Sequence, residues 1–187
     1  MATEILTPNG DVAGASDWVK TGSPPDSDDA TYTEIDEGIA GADDDTTYNE
    51  QPNQSPTFGT TIDFEFSNPV GTPNTGSGAN SWTLKTRARH GGGGVPDSFT
   101  VAVYESTTLR AGPFDHASAL TGSYQTFSDT FDPATISNVS NLRVKLNGAA
   151  GFTPLTQPRV TTVELVIQLV AASSGGKAGS KIAIGEL

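Results

Sequence analysis

The sequence predicts an all-β fold, a two-sheet antiparallel sandwich of jelly-roll type. Thr and Ser account for 25 and 17 of the 187 residues, and Thr favours strands. The 21 Gly and 12 Pro residues interrupt the chain at short intervals, as turns require. Between these turns, short runs alternate apolar and polar side chains, which is the pattern of half-buried strands. We therefore expect eight to ten strands in one domain, joined by irregular connections rather than tight hairpins.

Individual strands are predicted from this alternation. In 58–67, Ile62, Phe64 and Phe66 alternate with Asp63 and Glu65. The stretch 160–170 is the longest and most apolar candidate, so a central strand is predicted there. Further strands are predicted over 81–89, 98–105, 125–131 and 141–146, weaker ones over 3–6, 16–20 and 30–36, and one helical turn over 132–138.

The charge divides the chain unevenly. The net charge is −12, yet residues 1–66 hold 15 acidic residues and one basic residue, which is −14. Residues 67–187 hold seven acidic and nine basic residues, which is +2. We predict an acidic segment with weak strands that packs onto the body (1–56), a jelly-roll body (57–171) and a flexible Gly/Ser tail (172–187). The tail ends in a short apolar hook of Ile182, Ile184 and Leu187.

The composition argues against several classes of function. Without cysteine, the chain has no disulfide, thiolate nucleophile, zinc finger or iron–sulfur ligand. Its acidity argues against general nucleic-acid binding, which depends on Lys and Arg. The longest apolar stretch, 165–172, is too short to cross a membrane. The N-terminus has neither a basic region nor an apolar run, so no secretion signal is expected.

Two groups of acidic residues were considered for chemistry. Asp63 and Glu65 lie on one strand face, and paired carboxylates perform glycoside hydrolysis, but a solvent-facing strand explains them as well. Nucleophile-elbow, P-loop and zinc-protease motifs are absent from the sequence, so we expect no enzyme. No cofactor is predicted. The carboxylates of Asp26, Asp28 and Asp29 could bind calcium, and the alternative is that these residues form a solvated acidic loop.

The aromatic residues and histidines favour structural interpretations. Trp18, Trp82 and Tyr104 are expected in the core or at its edge, while Tyr32 is the least committed of the platforms on which a sugar could stack. His90 and His116 fall in predicted loops, where we expect exposure to solvent.

Five basic residues point outward on predicted strands. They would form one basic face if their strands were neighbours, and such a face could contact the acidic segment or a partner. The predicted partner contacts are Lys85, Arg87, Arg89, Arg143 and Lys145, together with Ile182, Ile184 and Leu187 of the hook.

The order and texture of several segments resemble tailed-bacteriophage structural proteins. The segments are D-W-V-K-T-G (17–22), Y-T-E-I-D-E-G (32–38), D-D-D-T-T-Y (43–48), F-E-F-S-N-P (64–69), W-T-L-K-T-R-A-R (82–89), D-S-F-T-V-A-V-Y-E (97–105) and N-L-R-V-K-L (141–146). The likeness covers about residues 16 to 170, and the terminal hook departs from it. It implies a jelly roll on a virion, as a capsid decoration or cement protein or as a tail-associated module.

From this resemblance we expect a cement protein that bridges coat subunits. It would be made in the host cytoplasm, assemble as a trimer or dimer, and bind the major capsid protein or other virion proteins through several modest contacts. The alternative is a carbohydrate-binding or host-adhesion jelly-roll module of a phage tail. That alternative requires an exposed aromatic residue on a sheet or loop rim, and fold alone does not choose between the two.

Overall fold

The computed structural model describes residues 2–12, 19–21, 39–40, 48–50, 61–76, 81–91, 98–148 and 157–171. These residues contain eleven strands and three short 3-10 turns. The strands are β1 (Thr3–Leu6), β2 (Pro8–Asp11), β3 (Val19–Thr21), β4 (Tyr48–Glu50), β5 (Thr61–Phe66), β6 (Trp82–His90), β7 (Phe99–Glu105), β8 (Thr108–Asp115), β9 (Gln125–Phe131), β10 (Leu142–Gly148) and β11 (Pro158–Gln168). The turns are Ala117–Ala119, Pro133–Thr135 and Val139–Asn141.

The strands form two antiparallel sheets packed as a sandwich. Sheet 1 has the order β3-β4-β11-β6-β9, with β1 also paired to β11. Sheet 2 has the order β2-β5-β10-β7-β8. From β5 onward the chain passes back and forth between the sheets, except at the β7–β8 hairpin within sheet 2, and this connectivity is that of a jelly roll. The predicted fold class is confirmed.

The core lies between the sheets and is made by alternate residues of their central strands. Trp82 and Leu84 of β6 and Phe64 of β5 are fully buried, whereas the intervening positions of β6 are partly exposed. Because side chains on a strand alternate between its two faces, this pattern directs every second residue inward. β11 has six consecutive buried residues, Val160–Leu165 being Val-Thr-Thr-Val-Glu-Leu, as expected for a central strand.

Two buried polar contacts connect elements in addition to the backbone hydrogen bonds of the sheets. The Glu105 carboxylate, at the end of β7, accepts hydrogen bonds from the backbone N–H groups of Ser137 (3.1 Å) and Asn138 (2.7 Å). It also accepts a hydrogen bond from Nε of Arg110 at 2.8 Å and forms an ion pair with Nη2 of Arg110 at 2.7 Å. Burial would raise the pKa of Glu105, but these backbone N–H groups and the guanidinium outweigh it and lower that pKa.

The second contact joins the edge strands of the two sheets. His116 follows β8, and its Nε2 lies 2.8 Å from Oδ2 of Asp129 on β9. The imidazole stacks on Phe127 with 4.4 Å between ring centroids. Both side chains of the His116–Asp129 pair are largely buried, so the pair closes one edge of the sandwich. The prediction that His116 is a solvent-exposed loop residue is therefore wrong.

The predicted strands match the described ones closely over 81–131, with a difference at β8. Strands predicted over 81–89, 98–105 and 125–131 correspond to β6, β7 and β9, and the helical turn predicted over 132–138 is the turn Pro133–Thr135, capped by Asp132. β8 was not predicted, and it forms a tight hairpin with β7 at Ser106, whose φ is 54°. The expectation of irregular connections is wrong at this hairpin.

Predictions nearer the termini had mixed outcomes. The strand predicted over 3–6 is β1, and the one over 16–20 overlaps β3. The short strands β2 and β4 were not predicted. The strand predicted over 30–36 and the tail over 172–187 lie outside the described residues.

Candidate functional site

The outer surface of sheet 2 carries an ordered set of polar side chains. Strands β5, β10 and β7 lie side by side, and their outward residues are in register. Neighbouring strands are about 4.7–4.9 Å apart, and outward residues recur about every 6.5–7 Å along a strand. Three rows therefore cross the strands, and together we call them the sheet 2 face: Glu65–Arg143–Tyr104, Asp63–Lys145–Ala102 and Thr61–Asn147–Thr100.

The first row combines an ion pair with an aromatic ring. Arg143 Nη2 lies 3.8 Å from Oε1 of Glu65, whose side chain is 55% exposed. Tyr104 is half-buried beside Arg143, and its side chain lies on this face. A polar recess of about 50 Å³ lies next to this ion pair and is lined in part by Ser106 and Ser140. The recess is too small to enclose a sugar ring, so a ligand of that size would lie across the face.

The middle row holds a buried carboxyl group. Asp63 is only 9% exposed, and its Oδ1 is shielded from solvent and has no hydrogen-bond partner. Burial raises the pKa of Asp63, against the lowering influence of Arg143 and Lys145. Lys145 is directly opposite Asp63 in the register, yet its Nζ lies over the Tyr104 ring, 5.6 Å from the centroid. A buried polar atom without a hydrogen-bond partner is uncommon in folded proteins.

The third row is neutral and rich in hydroxyl and amide groups. The Thr61 hydroxyl donates to Oδ1 of Asn147 at 2.7 Å, which orients the carboxamide. Thr100 completes this row on β7. Together, the three rows supply carboxyl acceptors, amine and amide donors, hydroxyl groups and one aromatic ring.

The contacts of Glu105 hold the aromatic end of this face in place. Glu105 follows Tyr104 in β7 and points to the opposite side of the sheet, where it bonds Arg110 and the 137–138 backbone. Since the end of β7 is fixed from the interior, the Tyr104 ring rests on a rigid strand. Rigid placement of a contact residue reduces the entropy lost on binding.

Asp63 and Glu65 were considered in sequence as a catalytic pair. They extend from the same strand toward the same side of sheet 2, and they do not face each other across a cleft. The expectation that both face solvent holds for Glu65 and is wrong for Asp63, which is buried.

The five outward basic residues divide between opposite sides of the sandwich. Lys85, Arg87 and Arg89 belong to β6 of sheet 1, whereas Arg143 and Lys145 belong to β10 of sheet 2. The strands are not neighbours, so these residues do not form one basic face. Their role as partner contacts stays a prediction.

On the sheet 1 side the basic residues lie among described partners. Lys85 Nζ is 3.7 Å from Oε2 of Glu164, and that carboxylate also accepts the N–H of Ile39 at 2.6 Å. The guanidinium carbons of Arg87 and Arg89 lie 5.9 Å and 4.9 Å from the ring centroid of Tyr124. Tyr124 was not considered from sequence, because it falls in a turn just before β9 with no alternating pattern around it.

Several predicted site residues lie outside the described residues. These are the calcium candidates Asp26, Asp28 and Asp29, the hook residues Ile182, Ile184 and Leu187, and the aromatic residues Trp18 and Tyr32. Within the described ranges, no group of three or more His, Asp or Glu side chains could hold a metal ion. The same ranges contain no helix that is long and apolar enough to cross a membrane.

Trp82 and Tyr104 were both predicted to lie in the core or at its edge, and the structure confirms this only for Trp82. Trp82 is fully buried in the core, as predicted, and its Nε1 donates to the backbone oxygen of Asn74. Tyr104 was assigned to the core or its edge, but it points away from the core on the sheet 2 face. The alternation of β7 contains the signal for this, since Phe99, Val101 and Val103 share the opposite side of the strand.

No protein-family model matches the chain, and no curated protein matches it. Similar solved structures include a family 35 carbohydrate-binding module from Clostridium thermocellum, with 12% identity, a TM-score of 0.47, and coverage of 89% of this chain and 98% of that one. A CBM35 from Paenibacillus barcinonensis has 10% identity, a TM-score of 0.45, and coverage of 91% and 100%. The C-terminal CBM6 of a laminarinase from Zobellia galactanivorans has 10% identity, a TM-score of 0.44, and coverage of 89% and 100%.

This comparison corrects the prediction of a capsid cement protein. The three similar structures named above are carbohydrate-binding modules, and they give no support to a phage or virion origin. The leading prediction is therefore contradicted, and the jelly-roll part of the resemblance is retained. Identities of 10–12% and TM-scores below 0.5 identify no ligand for this chain.

Proposed function

We propose that this chain is a carbohydrate-binding module that holds a glycan on the sheet 2 face and performs no catalysis. The observation that carries the proposal is the combination of the Tyr104 ring and the Lys145 ammonium, 5.6 Å from the ring centroid, with polar rows on either side. Polyhydroxylated ligands need hydrogen-bond donors and acceptors together with an apolar surface for the C–H side of the sugar ring. The three rows offer both within one surface.

The geometry favours binding over hydrolysis. In glycosidases the two carboxyl groups flank the scissile bond at separations of about 5–10 Å. Here Glu65 is engaged by Arg143, and Asp63 lies on the same side of the same strand. Neither residue is placed to act from the opposite side of a sugar.

A glycan array with the full-length chain tests the proposal, followed by affinity measurements on the bound glycans. Tyr104→Ala removes the ring, and we expect at least a tenfold loss of affinity, since about 1.4 kcal/mol corresponds to tenfold and buried aromatic contacts commonly contribute more. Tyr124→Ala is the matched control, because Tyr124 is a half-buried tyrosine among the sheet 1 arginines. An array without hits, or a loss of affinity in Tyr124→Ala and not in Tyr104→Ala, would overturn the proposal.

A further inference from the structure

Lys145 stands in an unusual position on the sheet 2 face. Its Nζ lies 5.6 Å from the centroid of the Tyr104 ring, which is the surface that the proposed function assigns to a sugar. The register places Lys145 between Asp63 and Ala102, near the centre of the face. Among the described residues, no carboxylate is within ion-pair distance of Lys145. The ammonium group is therefore held by an aromatic ring and solvent.

The neighbouring carboxyl groups form no ion pair with it. Arg143 has the carboxylate of Glu65 at 3.8 Å, so the first row is balanced within itself. Asp63 is the carboxyl group closest in register, and it lies beyond ion-pair distance of the Lys145 ammonium. The centre of the face thus combines an aromatic ring with an ammonium group that no described carboxylate contacts.

A neutral sugar and an anionic sugar would meet this arrangement differently. Stacking on Tyr104 brings a ligand close to the ammonium of Lys145. A neutral ring must displace that ammonium from the aromatic face and supplies no charge to replace the lost cation–π contact, which contributes about 0.5–2 kcal/mol. An anionic substituent pairs with the ammonium near where it stands. Charge-assisted hydrogen bonds are about twice as strong as neutral ones.

We infer that the glycan bound on the sheet 2 face is anionic, and that Lys145 selects it by pairing with a carboxylate or sulfate substituent while the sugar ring contacts Tyr104. This inference rests on the proposed function and adds the charge class of the ligand to it. Lysine binds either anion as a point charge, so the structure assigns the charge and not the acid group.

The test compares matched neutral and anionic polysaccharides. Polygalacturonate is measured against its methyl-esterified form, and dextran sulfate against dextran, alongside the hits of the glycan array. We expect the anionic member to bind at least tenfold more tightly and to lose affinity as NaCl is added, because exposed charge pairs are screened by salt. The two pairs separate carboxylate recognition from sulfate recognition.

Lys145→Gln assigns the selectivity to this residue. The variant should lose at least tenfold in affinity for the anionic ligand, and it should bind the neutral one at least as tightly as the wild type does, because no ammonium then has to be displaced from the ring. Lys85→Gln is the matched control, because Lys85 lies on β6 in sheet 1. Equal melting temperatures for both variants would show that folding is intact.

The outcomes separate this inference from the proposed function. If the array hits are neutral glycans that depend on Tyr104, or if anionic hits bind Lys145→Gln as tightly as the wild type, the inference is overturned and the proposed function stands. If no glycan binds, or if binding is independent of Tyr104, both are overturned.

Discussion

Replacement of Glu105 by Gln tests the buried contacts that fix the end of β7. The carboxylate receives four donors: the N–H groups of Ser137 and Asn138, and two nitrogens of Arg110. Glutamine has the same shape but only one acceptor oxygen. If that oxygen takes the place of Oε2, it keeps Ser137 and Arg110, and the new amide nitrogen faces the N–H of Asn138, donor against donor.

The expected loss of stability follows from these contacts. Hydrogen bonds to charged groups contribute about 1.5–3 kcal/mol each; the substitution removes the one from Asn138 and takes the negative charge away from the other three. The Arg110 side chain is 23% exposed, so water recovers part of its solvation. We therefore expect the free energy of unfolding to fall by about 3 kcal/mol. Glu65→Gln is the control, because its exposed pair with Arg143 should contribute about 0.5 kcal/mol or less.

Urea denaturation at a series of pH values measures both the loss and its cause. The pKa of Glu105 is lowered in the folded protein, so its stabilisation is complete above the ordinary glutamate pKa of about 4.3 and is lost as the pH falls toward the folded pKa. The difference between wild type and Glu105→Gln should be full at pH 7 and shrink below about pH 4.3. A difference under about 0.5 kcal/mol at pH 7, or one that stays constant into strong acid, would refute this reasoning.

Three further substitutions test other parts of the account. Asp63→Asn should leave the free energy of unfolding unchanged or raise it at pH 7, because the raised pKa of Asp63 means that the folded state disfavours the carboxylate. Any gain should vanish at low pH, where the carboxyl is protonated in both the folded and the unfolded state. A clear loss of stability in urea denaturation at pH 7 would contradict this prediction. His116→Ala should lower the melting temperature by about 4–8 °C, because it removes the hydrogen bond to Asp129 and the ring stacking, a loss of about 2 kcal/mol. An unchanged melting temperature in calorimetry would argue against the edge contact. Gly112→Ala should destabilise the fold by about 1–3 kcal/mol, because φ at Gly112 is +86° and a Cβ would lie 2.8 Å from the backbone oxygen of Val101. Gly10→Ala is the control, because a Cβ there has its nearest contact at 3.8 Å. Equal denaturation midpoints for the two variants would contradict the steric argument.

The alternation of side chains made much of the fold predictable. Residues such as Leu84 and Phe64 recur with period two because each strand buries one side, and that period is present in the sequence itself. β8 lacks the signal, since Thr108–Asp115 is an edge strand with Gly112 and Pro113 inside it and few buried side chains. The short strands β2 and β4 owe their existence to pairing with β5 and β11, which no local pattern reports.

The candidate site was predictable only in part. The alternation correctly predicts that Arg143 and Lys145 point outward, but it does not indicate which sheet a strand joins. The face depends on β10 lying between β5 and β7, which brings Lys145 opposite Asp63 although 82 positions separate them in the numbering. The burial of Asp63 arises from that assembly, so a pattern typical of a solvent-facing strand could not reveal it.

The location of bound glycan on the sheet 2 face is the central claim, and NMR chemical-shift mapping tests it most directly. The best glycan from the array is titrated into isotopically labelled protein, and the shifts of backbone amides are followed. The account predicts that the largest changes cluster on β5, β10 and β7, around Asp63, Lys145 and Tyr104. Changes that cluster instead on β6 and β9 of sheet 1 would contradict it.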